Sequence, residues 1–322
     1  MIATSFAFPA VLKNLPLPII GAPLFIISHP QLVIAQCKAG VVGSMPALNA
    51  RPASQLDDWL AEITEALADH NAANPLKLAA PFAINQIVHR SNDRLEHDMS
   101  LCVKHRVPII ITSLGARTEI NDAAHSYGGV VLHDVINNGF AHKAIEKGAD
   151  GLIAVAAGAG GHAGVKSPFA LVEEIRAWFD GPLALGGAIA TGDGVLAARA
   201  MGADFAYIGS AFIATNEARA SDAYKQMVVD SSSDDIVYSS LFTGVHGNYL
   251  KGSIRNAGLD PDALPSSDAS AMNFGDASMK VWKDIWGSGQ GVGAVRQVLP
   301  AQVLVARLMA EYERALIRLT ER

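Results

Sequence analysis

Cysteine is nearly missing: Cys37 and Cys102 are the only two in 322 residues. Two distant thiols cannot frame a disulfide-stapled fold or a cysteine-rich zinc site, and they fit a reducing compartment as inert groups in or near the core. Charge is sparse as well, at 17% of residues, and 25 Lys and Arg face 31 Asp and Glu, for a formal net charge of −6. Nothing in that balance draws the surface to a phosphate backbone or an anionic bilayer, so nucleic acid and membrane are excluded as expected partners. No long apolar run exists either. The longest, residues 15–27, is broken by Pro16, Pro18 and Pro23 and falls short of the ~18–20 residues that span a bilayer. The first residues lack the basic segment of a signal peptide, and a soluble cytoplasmic protein is expected. Walker-type phosphate loops, H-E-x-x-H and G-x-S-x-G are all absent. His125, His133 and His142 have spacings that match no metal box, so no metal site is expected.

What is present is a repeated phrase. Half of the chain is apolar, and short apolar runs alternate with helical patterns in the manner of stacked βαβ units. The spacing predicts strands at residues 18–23, 40–46, 78–84, 107–113, 129–133, 151–156, 183–186 and 205–209. They are continuous runs, as expected of strands covered on both faces. Two share a lead-in, Lys147-Gly148-Ala149-Asp150 and Met201-Gly202-Ala203-Asp204, where glycine ends a helix and a strand begins at once. Eight such strands predict an α/β fold, a (β/α)8 barrel, with an open doubly wound sheet as the rival.

After Thr215 the composition changes. Residues 216–294 carry polar and turn-rich stretches together with Tyr224, Tyr238, Tyr249, Trp282 and Trp286. They are read as a smaller, mostly helical unit inserted after the eighth strand, over the barrel mouth. Residues 1–215 would form the barrel, completed by a C-terminal helix within 295–322. Val303, Leu304, Leu308, Tyr312, Leu316 and Ile317 recur near the helical period and are expected to pack back on the barrel.

The densest chemical signal is Ala157-Gly-Ala-Gly-Gly-His-Ala-Gly164, directly after the sixth strand. Loops at the C-terminal ends of barrel strands build active sites, and glycines there admit a flat ligand close to the backbone. His162 in that loop is the candidate catalytic residue. Gly158, Gly160 and Ala163 also match a dinucleotide fingerprint, but no helix opens directly after them, and a second match at Gly289, Gly291 and Ala294 follows no clear strand. Gly186 and Gly187 after strand seven, with Gly209 and Ser210 after strand eight, sit where barrels often hold a phosphate. His133 ends strand five and could face the mouth.

Taken in order, these motifs resemble one family. Gly21-Ala22-Pro23-Leu24, Phe82-Ala83-Ile84-Asn85, Gly160-Gly161-His162-Ala163-Gly164, Gly186-Gly187, Gly209-Ser210-Ala211-Phe212 and Trp286-Gly-Ser-Gly-Gln290 are similar to the motif set of nitronate monooxygenases, FMN-binding barrels with a small added domain. The resemblance implies FMN across the mouth, its ring beside Ala22, Pro23, Leu24, Asn85, His133 and Gly161, and its phosphate on Gly186, Gly187, Gly209 and Ser210. It implies that His162 binds an alkyl nitronate, such as propionate 3-nitronate, or acts as base toward a neutral nitroalkane. O2 then yields a carbonyl compound and nitrite, and a homodimer is a conceivable assembly. The sequence departs from the family where Val155, Ala156, Ala157 and Gly158 replace a Gln-Gly-x-Glu stretch. Where some relatives place a lysine on strand five, His133-Asp134 stands instead. Two other readings stay open: an NAD(P)H-dependent flavin reductase for quinones or enoyl thioesters, and a barrel that binds a sugar phosphate or nucleotide without flavin.

Overall fold

The computed structural model describes residues 8–265 and 284–321. Eight parallel strands form one sheet: β1 (Ile19–Gly21), β2 (Gly43–Pro46), β3 (Phe82–Ile87), β4 (Ile109–Ser113), β5 (Val130–Val135), β6 (Gly151–Val155), β8 (Leu183–Gly186) and β9 (Phe205–Ile208). A two-residue strand, β7 (Gly161–His162), lies outside that sheet. The order β1-β9-β8-β6-β5-β4-β3-β2 leaves β1 and β2 at the two ends. A parallel bridge between Ile20 and Val42 joins those ends, with Gly21 N–H donating to the Val42 carbonyl and Val42 N–H to the Ile19 carbonyl. All eight expected strands are therefore present, and the sheet curls into a ring.

Helices alternate with the strands: α1 (Pro30–Ala39), α2 (Gln55–Ala73), α3 (Leu95–Lys104), α4 (Thr118–His125), α5 (Asn138–Glu146), α6 (Pro168–Arg176) and α7 (Gly192–Ala200), then the single turn α8 (Ser210–Ile213). The shared lead-ins are explained residue by residue. Gly148 and Gly202 both have positive φ, +94° and +108°. In each, glycine N–H and the following alanine N–H close back on the helix, Ala149 to Ala144 and Ala203 to Ala198, satisfying carbonyls the helix cannot pair itself. The aspartates then start the sheet: Asp150 accepts from Val131 N–H at 2.7 Å and Asp204 from Leu183 N–H at 2.9 Å. Each motif ends a helix and fixes the register of the preceding strand within four residues.

Inside the ring, Ile20, Val42, Ala83, Ile109, Ile111, Leu132, Ile153, Val155, Ala184 and Phe205 form a dry core, closed by Leu12 and Phe8 of the N-terminal segment. Cys37 and Cys102 are fully buried, and burial pushes both thiols up to about 12, as expected of inert thiols.

Beyond α8 come α9 (Asp222–Asp230), a hairpin of β10 (Ile236–Ser239) and β11 (Gly247–Leu250), and α10 (Lys251–Asn256). The hairpin pairs β11 antiparallel with β7, so the segment after residue 215 and the loop after the sixth barrel strand share one small sheet. Trp282 lies outside the described residues. The C-terminal helix, Ala301–Thr320, packs against α1 and α7. That is the place of the eighth barrel helix. Its buried face is partly the expected one: Leu304 and Leu308 are buried and Tyr312 packs on the core, but Val303, Leu316 and Ile317 are exposed, and Ala301, Val305 and Ala315 are buried instead. The apolar residues wrap around more than one face, and only one of those faces packs. Likewise Leu78, placed in the third strand by the sequence, precedes it and is exposed.

The C-terminal helix approaches the N-terminus of α7 closely at Gly192. A β-carbon there would stand within van der Waals clash of the Tyr312 amide nitrogen and the Leu308 carbonyl of the C-terminal helix. Gly192→Val is expected to lower stability by ~1–3 kcal/mol by forcing the two helices apart, as read by urea unfolding. An unchanged midpoint would show that this contact does not seat the helix.

Candidate active site

All eleven residues singled out in the sequence line a single cavity of about 560 Å³ at the C-terminal ends of the strands. Ala22, Pro23 and Leu24 follow β1, Asn85 lies on β3, His133 on β5, Gly161 and His162 on β7, Gly186 and Gly187 at the end of β8, and Gly209 and Ser210 after β9. That size suits a small molecule or cofactor.

The floor is built from backbone. Gly186 lies against Tyr207, where a β-carbon would meet a ring carbon at 3.2 Å. Gly187 holds φ +152°, and a β-carbon would come within 2.9 Å of the Ala157 carbonyl. Ser210 begins α8, and its hydroxyl accepts from Gly289 N–H at 2.8 Å, which leaves its own proton to donate. Gly161 differs from the others: at φ +65° a β-carbon would meet nothing within 4 Å, so its missing side chain is open space in the cavity.

A polar chain crosses the strand ends. Asn85 Nδ2 donates to the Ile111 carbonyl at 3.1 Å and to Ser113 Oγ at 2.7 Å, and Ser113 Oγ donates to Asp134. With both amide protons spent, Asn85 can meet a ligand only as an acceptor. Burial pushes the Asp134 carboxyl up to about 6, against the opposing pull of the Ser113 hydrogen bond. Tyr207 also faces this cavity, and its phenol is raised by burial and by the neighbouring Asp134.

Both site histidines are neutral. Burial lowers His133 to about 4, and its Nδ1 is 2.6 Å from Thr112 Oγ1. Burial likewise lowers His162 to about 4. A free imidazole titrates near 6.5, and desolvation of the buried ring penalises its charged form. His162 Nε2 lies 2.9 Å from Thr243 Oγ1. Thr243 donates its single proton to the Val245 carbonyl at 3.0 Å.

Asp134, Ser113, Tyr207, Thr243 and Ser288 had no assigned role in the sequence. Asp134 was visible as the neighbour of His133 on a strand, where alternation points the two side chains in different directions. Thr243 had no signal, since it reaches His162 across 81 positions by hairpin pairing. Ser288 lines the cavity, is 1% exposed, and its Oγ has no hydrogen-bond partner among the described residues. Such a hydroxyl is costly unless a ligand satisfies it. Among the described residues no group of three or more His, Cys, Asp or Glu could hold a metal, and no helix is long and apolar enough to cross a membrane.

Fold and site together define a parallel βα-barrel enzyme whose mouth carries a glycine-walled cavity and a neutral histidine. The nitronate monooxygenase family model matches residues 11–311, and the chain belongs to that family of flavin-dependent oxidoreductases. A nitronate monooxygenase of Paraburkholderia phytofirmans is 25% identical, covering 94% of this chain and 94% of its own length. Nitronate monooxygenase npaC of Metarhizium robertsii is 28% identical over 92% of each chain. A solved nitroalkane oxidase from Streptomyces ansochromogenes superposes with a TM-score of 0.81 at 23% identity, covering 97% of this chain and all of the other, a likeness of fold.

The raised Asp134 carboxyl has a stability consequence. A folded-state value near 6 against an unfolded value near 3.8 means that the native state holds this proton more tightly. The stability it contributes is present below the unfolded value and is lost as pH rises through about 6, up to ~3 kcal/mol in full and less for a cavity-facing group. In flavin-free protein, Asp134→Asn is expected to match wild type at pH 4 and exceed it at pH 8 in urea unfolding. Equal stability at both pH values would show that the carboxyl pays no desolvation penalty.

Proposed function

We propose that this chain is an FMN-dependent nitronate monooxygenase with His162 as its base. The cavity residues fit the cofactor on three counts: the open space over Gly161, the glycine and Ser210 donors after β8 and β9, and the unpartnered hydroxyl of Ser288. Gly186, Gly187, Gly209 and Ser210 would hold the phosphate. Ala22, Pro23, Leu24, Gly161 and the neutral His133 would face the ring, and Asn85 would accept a hydrogen bond from it. Bound there, the flavin supplies electron exchange with the nitronate and with O2, so that carbonyl compound and nitrite are the products.

The observation that carries the reading is the neutral His162, fixed by Thr243 at the cavity wall. A neutral imidazole is ready to take the α-proton of a nitroalkane without first losing one of its own. The nitronate so formed is an anion beside the new imidazolium, and that pairing raises the proton affinity of the base at the moment it is needed. A substrate that arrives as nitronate draws a proton onto His162 in the same way. Residues 216–294 are proposed to form the substrate-side unit, since β11 is what pins the histidine strand.

Oxygen uptake with nitrite release is expected from FMN-loaded protein given propionate 3-nitronate, with no response to NADH in a parallel sample. Bleaching of the flavin by NADH without a nitronate response would make the chain a reductase. His162→Asn is expected to keep FMN bound while lowering turnover of a neutral nitroalkane by ~10²–10⁴, and unchanged turnover would remove the histidine from the chemistry. Gly187→Val is expected to cost flavin occupancy, and a variant that purifies fully yellow would overturn the phosphate assignment.

A further inference from the structure

The cavity does not end at its walls. Ile136 and Phe140 line it and are also 39% and 52% exposed, so one side of each faces the site and the other faces water. Val165 follows Gly164, which lies against Ile136, and Phe169 lies at the start of the helix packed on α5; they are 73% and 65% exposed. These residues share one end of the barrel. Ile136 follows β5, Phe140 lies in the first turn of α5, and Phe169 in the first turn of α6, the helix packed beside it. Gly164 ties the two sides together, since a β-carbon there would stand 3.0 Å from Ile136 Cβ. Tyr238, 38% exposed, joins the same rim by donating its hydroxyl proton to the Ala163 carbonyl at 2.8 Å. Isolated exposed apolar side chains are ordinary, but several in a row leading out of a cavity mark a binding surface.

The inner walls have the same character. Leu24, Phe25, Ile87, Leu114, Ile189 and Val245 line the cavity, and Lys143 is the sole lysine or arginine among the described lining residues. A short substrate with a second negative charge, such as propionate 3-nitronate, finds little there to pair with it. We propose that the natural substrate carries an apolar chain of about six carbons or more, which leaves the cavity past Ile136 and Phe140 and lies on Val165 and Phe169. This inference rests on the proposed nitronate chemistry for the identity of the reacting end, but not for the chain.

Straight-chain carboxylates test it without turnover, because a carboxylate is a planar, unreactive analogue of a nitronate. Calorimetric titration of the FMN-loaded protein with the C3 to C10 acids is expected to show affinity rising about threefold per added methylene. Val165→Ser and Phe169→Ser, both at exposed positions, are expected to abolish the gain for the longer members of the series. A flat series, no binding by any member, or an unchanged slope in both variants would overturn the proposal. Should oxygen uptake with every nitronate be absent while the chain-length slope persists, the nitronate reading fails and the chain-binding surface stands.

Discussion

The approach of three glycine-bearing backbones holds the site together. A β-carbon on Gly160 would stand 2.8 Å from the Gly289 amide nitrogen, and one on Gly289 would stand 2.6 Å from the Gly158 carbonyl. On the other side, a β-carbon on Gly247 would come within 2.8 Å of the Gly161 carbonyl. The histidine loop is thus gripped between the segment leading to the C-terminal helix and the β10–β11 hairpin, with main chain against main chain. Gln290 N–H adds a 2.8 Å bond to the Gly158 carbonyl, and Asn248 Nδ2 holds the Ala159 carbonyl. Side chains of ordinary size would pry these layers apart. His162 could then no longer meet Thr243.

Burial of the titratable groups in that packing sets the charge state of the site. His133 and His162 are driven to the neutral form and Asp134 toward its protonated form by a shared cause, the loss of hydration. The result is a cavity with potential proton carriers and little fixed charge. Such a site responds strongly to the charge of whatever enters, because few opposing charges are present to screen it.

Much of this was legible in the chain. Eight continuous apolar runs gave eight strands, and the Gly-Ala-Asp lead-ins proved to be helix caps joined to strand starts. Residues as far apart as Ala22 and Ser210 met in the same cavity, because strand ends in a barrel converge whatever their distance in sequence. What stayed hidden depends on packing direction or on burial. The C-terminal helix had apolar residues on more than one face, and only its contact with α1 and α7 selects between them. The neutrality of His162 follows from enclosure, which residue spacing does not reveal. Thr243 and Ser288 are small hydroxyls, common everywhere, and only the hairpin and the glycine segment bring them to the site.

The last barrel helix is separated from the last barrel strand. Between Ile208 and Ala301 the chain leaves the ring, builds α9, the hairpin and α10, and then returns to lie between α1 and α7. Entropy tolerates such a detour, since the cost of closing a loop grows only with the logarithm of its length. Timing does not tolerate it as well. During synthesis the strands emerge long before the helix that covers their seam, so α1 and α7 wait with an apolar face bare until residues 301–320 leave the ribosome. The nascent chain would therefore pass through a ring with one uncovered stave.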